Sequence, residues 1–205
     1  MFDLTNILSV AKDASDLLSR VKGKLLGQPD EAAGKLADVL EELSKIFVFV
    51  DSEIVRFLAI FIVPDRSNVI ECRAVLLSME GGGLAIKGDE ARGHCHKIGN
   101  IYIKYLRRWF NEVLDPQESA ELSLLFDRLN NSDDYMVTGL QSVTAWLTQQ
   151  AETTLDLIDN GQFDDANIVI RTARATVKQN RRDISGALCA LRGLQADFIA
   201  ASGTV

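Results

Sequence analysis

From Ala166 to Phe198 the chain repeats one pattern without a break. Ala166, Ile170, Ala173, Val177, Asn180, Ile184, Ala187, Leu191, Leu194 and Phe198 alternate steps of four and three residues. An α-helix brings such positions onto one stripe, because its 3.6-residue turn makes neighbours of residues three, four and seven apart. This one constraint excludes most alternatives for the last fifth of the chain. A strand needs a period of two, and no alternation of that kind persists for six residues anywhere in the sequence.

The same period recurs upstream. Leu4, Ile7, Ala11, Ala14, Leu18, Val21 and Leu25 form a stripe that Gly27, Gln28 and Pro29 bring to an end. Leu36, Leu40, Leu43, Phe47, Val50, Ile54, Phe57 and Phe61 form a second stripe, opened by Pro29 and Asp30 and stopped by Pro64. At 1.5 Å per residue this second helix is a rod of about 50 Å. Its later half is apolar almost all round, through Ile46, Val48, Phe49, Leu58, Ile60 and Ile62. Such a helix belongs in the middle of a bundle. The chain has only three prolines in 205 residues, and Pro29, Pro64 and Pro116 all stand at helix boundaries.

Between these rods lie shorter elements. Ser67 or Asn68 caps a short helix whose apolar side is Val69, Ile70, Cys72, Val75, Leu76 and Met79, and Gly81-Gly82-Gly83 is a flexible loop. Asp89 to about Leu114 reads as a helix with a wide apolar face of Ile98, Ile101, Tyr102, Tyr105, Leu106, Trp109, Phe110 and Val113. Asp115-Pro116-Gln117-Glu118 is a start signal, with an acidic cap, Pro in the first turn and Glu at the third position. A longer helix opens at Ser132-Asp133-Asp134 and ends at Asn160-Gly161, with Met136, Leu140, Val143, Leu147, Ala151, Leu155 and Ile158 along it. The tight Asn160-Gly161-Gln162 connection pairs it with the last helix as an antiparallel hairpin. The expected fold is therefore all-α. It is an antiparallel bundle of about five long helices and two short ones, ending in a long helical hairpin, within a single domain over residues 1–205.

Charge narrows the function classes. Lys and Arg number 22, Asp and Glu 29, for a net charge of −7. Nucleic acid is not an expected partner, because phosphate neutralisation needs a basic surface. Cys72, Cys95 and Cys189 are three and widely spaced, which fits reduced thiols in a cytoplasmic protein. Met1 to Arg20 is amphipathic and unlike a signal peptide. Asp51, Glu53 and Arg56 interrupt the apolar run from Ile46 to Val63, and three charges weigh against a membrane span.

The chemistry-bearing motifs are few. Both histidines fall in Gly93-His94-Cys95-His96, near Asp89 and Glu90, the best place to look for a metal. His94 and His96 point about 200° apart on a helix, so one helix cannot give both to one ion. No metal site and no cofactor are therefore expected. Glu-x-x-His, GxxxxGK[ST], GxGxxG and GxSxG do not occur. The last helix carries Arg171, Arg174, Lys178, Arg181 and Arg182, and the aromatic helix adds Lys104, Arg107 and Arg108. Of these, Arg171, Arg174, Lys178, Arg181, Arg182, Lys104 and Arg108 are the expected partner-binding residues, a docking stripe for an acidic partner or an anionic lipid surface. The bland reading is a solvated face with ion pairs to acids such as Asp38, Glu41 and Glu42. Asn180, in an apolar seam, either fixes register or is satisfied locally.

The expected function is a non-enzymatic interaction, scaffold or regulatory module that binds a protein partner or itself. Two alternatives stand beside it. One is a membrane-acting bundle of the toxin or cell-death kind, which exposes its apolar N-terminal helices. The other is an enzyme with a site buried in the bundle.

Overall fold

The computed structural model describes residues 5–27, 31–60, 62, 64, 67–78, 88–130 and 138–202. The side chains of residues 5–8, 11, 60, 88–90 and 138–142 lie outside this description. The helices are α1 (Thr5–Leu26), α2 (Glu31–Ile60), α3 (Val69–Ser78), α4 (Gly88–Ile101), a π turn (Tyr102–Leu106), α5 (Arg107–Val113), α6 (Pro116–Asn130), α7 (Thr138–Asp159) and α8 (Phe163–Ser202). Helical backbone continues through Ile101 and Arg107, so α4, the π turn and α5 make one rod. Counted that way, five helices are long and two, α3 and α6, are short. No strand occurs among the described residues. The expectations for Pro29 and Asp30, for Phe61, for Gly81-Gly82-Gly83 and for Ser132-Asp133-Asp134 lie outside the described residues.

Local signals place the helix ends where the side chains can satisfy them. Asp115 accepts from the backbone N–H groups of Gln117 (3.1 Å) and Glu118 (3.0 Å), while Glu118 accepts in return from the Asp115 N–H (3.3 Å). This reciprocal box uses up donors that the first turn of α6 leaves orphaned. Pro116 is the first residue of that helix, where a missing N–H does no harm. At the other end of the molecule, Gly161 has φ +74°. Its N–H donates to the Ile158 carbonyl at 3.0 Å, and the Gln162 N–H donates to Leu157 at 2.8 Å. That is a Schellman stop, and its left-handed residue is where glycine avoids a Cβ clash. It turns α7 directly into α8, which packs back against it as a hairpin.

Helix α2 is the axis of the bundle. It packs along α8, against α4 and the π turn, and more lightly on α1, while α6 bridges α1 and α4. Contacts fix the directions. Arg181 meets Asp51, Arg174 meets Leu58, and Ser202 approaches Gly34, so α8 runs antiparallel to almost the whole of α2. On the far side of α1, Arg20 pairs with Glu121 (2.8 Å) and Lys24 with Glu118 (2.6 Å), clamping α1 antiparallel to α6. Lys22 pairs with Asp197 of α8. Helix α3 packs on α7 at the end of the molecule where α2 finishes, tied by Arg73 and Asp159 at 3.0 Å.

The core is continuous across these helices. Leu18, Val21 and Leu25 of α1 meet Leu36, Leu40, Leu43, Phe47 and Phe57 of α2, and Ile170, Val177, Ile184, Leu191 and Phe198 of α8, all buried. An aromatic knot joins the α4 rod to α6. Tyr102 stacks on Phe126 with ring centres 4.7 Å apart, and Phe110 sits 5.9 Å from Phe126. The Tyr102 hydroxyl donates to Ser123 at 2.7 Å, so the one polar atom of the knot is satisfied.

Three details depart from the sequence-based reading. The aromatic helix contains the π turn, in which one extra residue rotates the following helix and keeps Tyr102, Leu106 and Phe110 all buried. Helix α2 is not enclosed all round, since Val48 and Val55 stay 45% and 42% exposed on its outer side. In α3 only Cys72 and Leu76 are buried, whereas Ile70 faces solvent.

Candidate functional site

The basic residues of α8 divide into two sets. Arg174 is half-buried and turned onto α2, where its guanidinium donates to the Leu58 carbonyl at 2.8 Å. Leu58 lies in the last turn of α2, whose carbonyls have no helical partner, and a cation there also meets the negative end of the helix dipole. Arg181 pairs with Asp51 at 2.9 Å, again bridging α8 to α2. These two arginines hold helices together.

Arg171, Lys178 and Arg182 form the other set. Steps of seven and four put them within about 20° of one line along the helix. All three are exposed, and none has a carboxylate partner among the described residues. Ile168, 61% exposed, lies one turn before Arg171 and about 60° to one side of this line. From Arg171 to Arg182 the line runs about 16 Å at the helical rise. Asn180 donates to the Thr176 carbonyl of its own helix at 3.0 Å, so it is satisfied locally.

Lys104 and Arg108 do not join this surface. Lys104 lies over the Tyr105 ring at 5.0 Å, and Arg108 pairs with Glu112 at 2.7 Å. Both line a recess with Glu31 at the start of α2, whereas the α8 set sits beside Asp51 to Leu58. Twenty or more residues of α2 separate them, some 30 Å or more along the axis. The seven basic positions are thus two surfaces, and the larger is itself split into inward and outward residues.

The histidines take different roles. His94 is half-buried, and its Nδ1 contacts Glu42 Oε2 at 2.6 Å, whereas His96 is exposed. Burial opposes ionisation of Glu42. Hydrogen bonds from Lys45 and His94, with the charges of Lys45 and Lys97, outweigh it and bring the carboxyl down to about 2. The same acids raise Lys45 through hydrogen bonds from its ammonium to Glu41 and Glu42. Glu42 is thus the centre of a charge cluster that joins α2 to α4. No group of three His, Cys, Asp or Glu side chains suited to a metal is found among the described residues. Cys95 is buried in the core. The Asp89 and Glu90 side chains lie outside the described residues.

The Glu42 to His94 contact was not readable from sequence. Its members are 52 residues apart, and only the packing of α4 on α2 joins them. Ser44, one of the few buried polar residues, gives no signal either, since its neighbours are heptad positions. Comparison with protein-family models, curated proteins and solved structures finds no match for the chain.

Proposed function

We propose that the chain is a non-enzymatic helical-bundle protein that binds an acidic helical segment of a protein partner along the outer face of α8. The observation that carries this reading is the line of Arg171, Lys178 and Arg182, exposed and without a carboxylate partner among the described residues on a protein of net charge −7. Most surface cations elsewhere are committed: Arg20, Lys24, Lys45, Arg73 and Arg108 all have carboxylate partners. An aligned set of exposed cations supports recognition by charge, which steers encounter and selects partners more than it adds affinity. Exposed Ile168 and Ala175 add an apolar edge for the same segment.

The experiment is affinity capture from native lysate with the wild type and the R171E/K178E/R182E variant, followed by titration of the captured partner against salt. Loss of the partner from the variant, at unchanged helicity and melting temperature, supports the reading. An identical capture profile overturns it.

A second reading, action at a membrane, has one observation in its favour. The 18 residues from Ile184 to Ala201 of α8 have mean hydropathy 1.2, and 22% of them are buried. Leakage from anionic vesicles that depends on this segment would favour it over the first.

A further inference from the structure

We infer that the cleft around Ser44, between α2, α4 and α8, is a binding site for a small organic carboxylate with an apolar tail. The cleft measures about 650 Å³, within the range that holds small molecules. Val48 and Phe49 of α2 supply apolar surface, His94 comes from α4, and Arg192 and Gln195 come from α8.

Three groups in this cleft have no assigned work in the fold. Ser44 is 7% exposed, yet its Oγ has no hydrogen-bond partner among the described residues. A buried hydroxyl without a partner is unfavourable, and a ligand that parts the cleft wall far enough to accept its proton removes the deficit. The Arg192 guanidinium is exposed and pairs with no carboxylate among the described residues. The Gln195 amide is half-buried and makes no hydrogen bond among them. The two acids that line the cleft each have a cation in reach, Glu41 the Lys45 ammonium at 2.8 Å, shared with Glu42, and Glu53 the Arg56 guanidinium at 2.6 Å. What remains open is a set of donors around the Arg192 guanidinium.

That set matches a single negative charge with planar acceptor geometry. A guanidinium meets a carboxylate through two parallel hydrogen bonds, and Ser44 and Gln195 offer further donors. A phosphate dianion would bring a second charge beside Glu41 and Glu53 with no second free cation among the described residues to meet it. The apolar lining favours an organic acid over acetate or chloride. Ser44 is not hydrogen-bonded to His94, so the cleft has the parts of a binding site and not of an activated nucleophile. This site is separate from the outer face of α8 at Arg171 to Arg182, and either can fail alone.

The test is a titration of the full chain with phenylacetate, phenylacetamide and phenylphosphonate, read by ¹H–¹⁵N chemical shifts. Phenylacetate is expected to give saturable shifts around Ser44, His94 and Gln195. Arg192→Gln should weaken it about tenfold, as loss of a charged hydrogen bond does, and Ser44→Ala by a few-fold. Arg192 is exposed, so its variant reports binding without disturbing the fold. The inference is overturned if phenylacetate shows no saturation up to about 20 mM, the weak end of specific binding. Equal binding of the neutral amide, tighter binding of the phosphonate, or an unchanged affinity in Arg192→Gln would also overturn it.

Discussion

Helices α2 and α8 carry nearly the same apolar period, yet the bundle uses them differently. Thirteen of the 29 described side chains of α2 are buried, against eight of the 40 in α8. Helix α2 has neighbours on several sides: α8, the α4 rod and α1. Helix α8 offers one stripe to α2, α1 and α7 and leaves the other side to solvent. A heptad stripe therefore announces one buried face and says nothing about the opposite one. What flanks the stripe decides whether a helix works as core or as surface. In α2 the flank is buried too, at Val39 and Ile46, whereas α8 carries Arg171, Lys178 and Arg182 outside its stripe.

The largest expected effects lie in α2. Phe47→Ala removes one of the largest fully buried side chains, and should destabilise by about 3–5 kcal/mol in urea denaturation. Leu191→Ala on α8 is also fully buried but sits at a one-sided interface that can relax toward solvent. It should fall at the lower end for such truncations, about 2–3 kcal/mol. Equal losses at the two sites would break the contrast between axis and surface helix.

The parts that sequence made legible are those set by local chemistry. The stripes of α1, α2, α7 and α8, the Asp115 to Glu118 box and the Gly161 stop depend on residues within a turn or two of each other. The π turn at Tyr102–Leu106 was not legible, because its aromatic face reads as an ordinary helical stripe until Phe126 packs on Tyr102. The division of the α8 basic residues was hidden for a similar reason. Arg174 and Arg181 bridge to α2 only because Leu58 and Asp51 lie opposite them, and those contacts span 116 and 130 residues. The cleft at Ser44 combines side chains from three helices and has no trace in any local pattern.

Next in size is the Glu42 cluster, which ties α2 to α4. The Glu42 carboxyl is held down at about 2 against its usual 4.5. A depressed acid contributes stability that is present above the unfolded value and is lost as pH falls through the folded one. The wild type should therefore lose stability between about pH 4.5 and 2 in part through this group. Glu42→Gln should be less stable at neutral pH by about 1–2 kcal/mol, and the gap should close across that acid window. Parallel stability curves for the two proteins from pH 7 to 2 would show that Glu42 has no such role.

Two helical glycines sharpen the comparison further. A Cβ at Gly99 would fall 2.0 Å from Asn130 Oδ1 and 2.5 Å from its Cγ, at the contact of α4 with α6. Gly99→Ala should lower stability by about 1 kcal/mol, overpacking exceeding the gain in helix propensity. A Cβ at Gly193 on α8 meets nothing within 4 Å. Gly193→Ala should raise stability by about 0.5–1 kcal/mol, since only propensity and unfolded-chain entropy change. A destabilising Gly193→Ala would mean that this side of α8 is covered in solution.

The smallest effect on folding is expected where the effect on binding is largest. Each reversal in R171E/K178E/R182E changes the charge by two, so the net charge goes from −7 to −13. The three side chains are exposed and make no ion pair among the described residues, so thermal stability should stay within about 0.5 kcal/mol of wild type. Arg174→Ala, one turn from Arg171, removes the hydrogen bond to the Leu58 carbonyl and should lower stability by about 1 kcal/mol. Its effect on partner capture should be small, because its guanidinium is turned onto α2. Melting curves and capture on the same two variants thus separate the inward from the outward arginines. Stability lost in the triple variant and kept in Arg174→Ala would invert their assignment, and with it the reading of α8 as a helix with one face for the core and one for a partner.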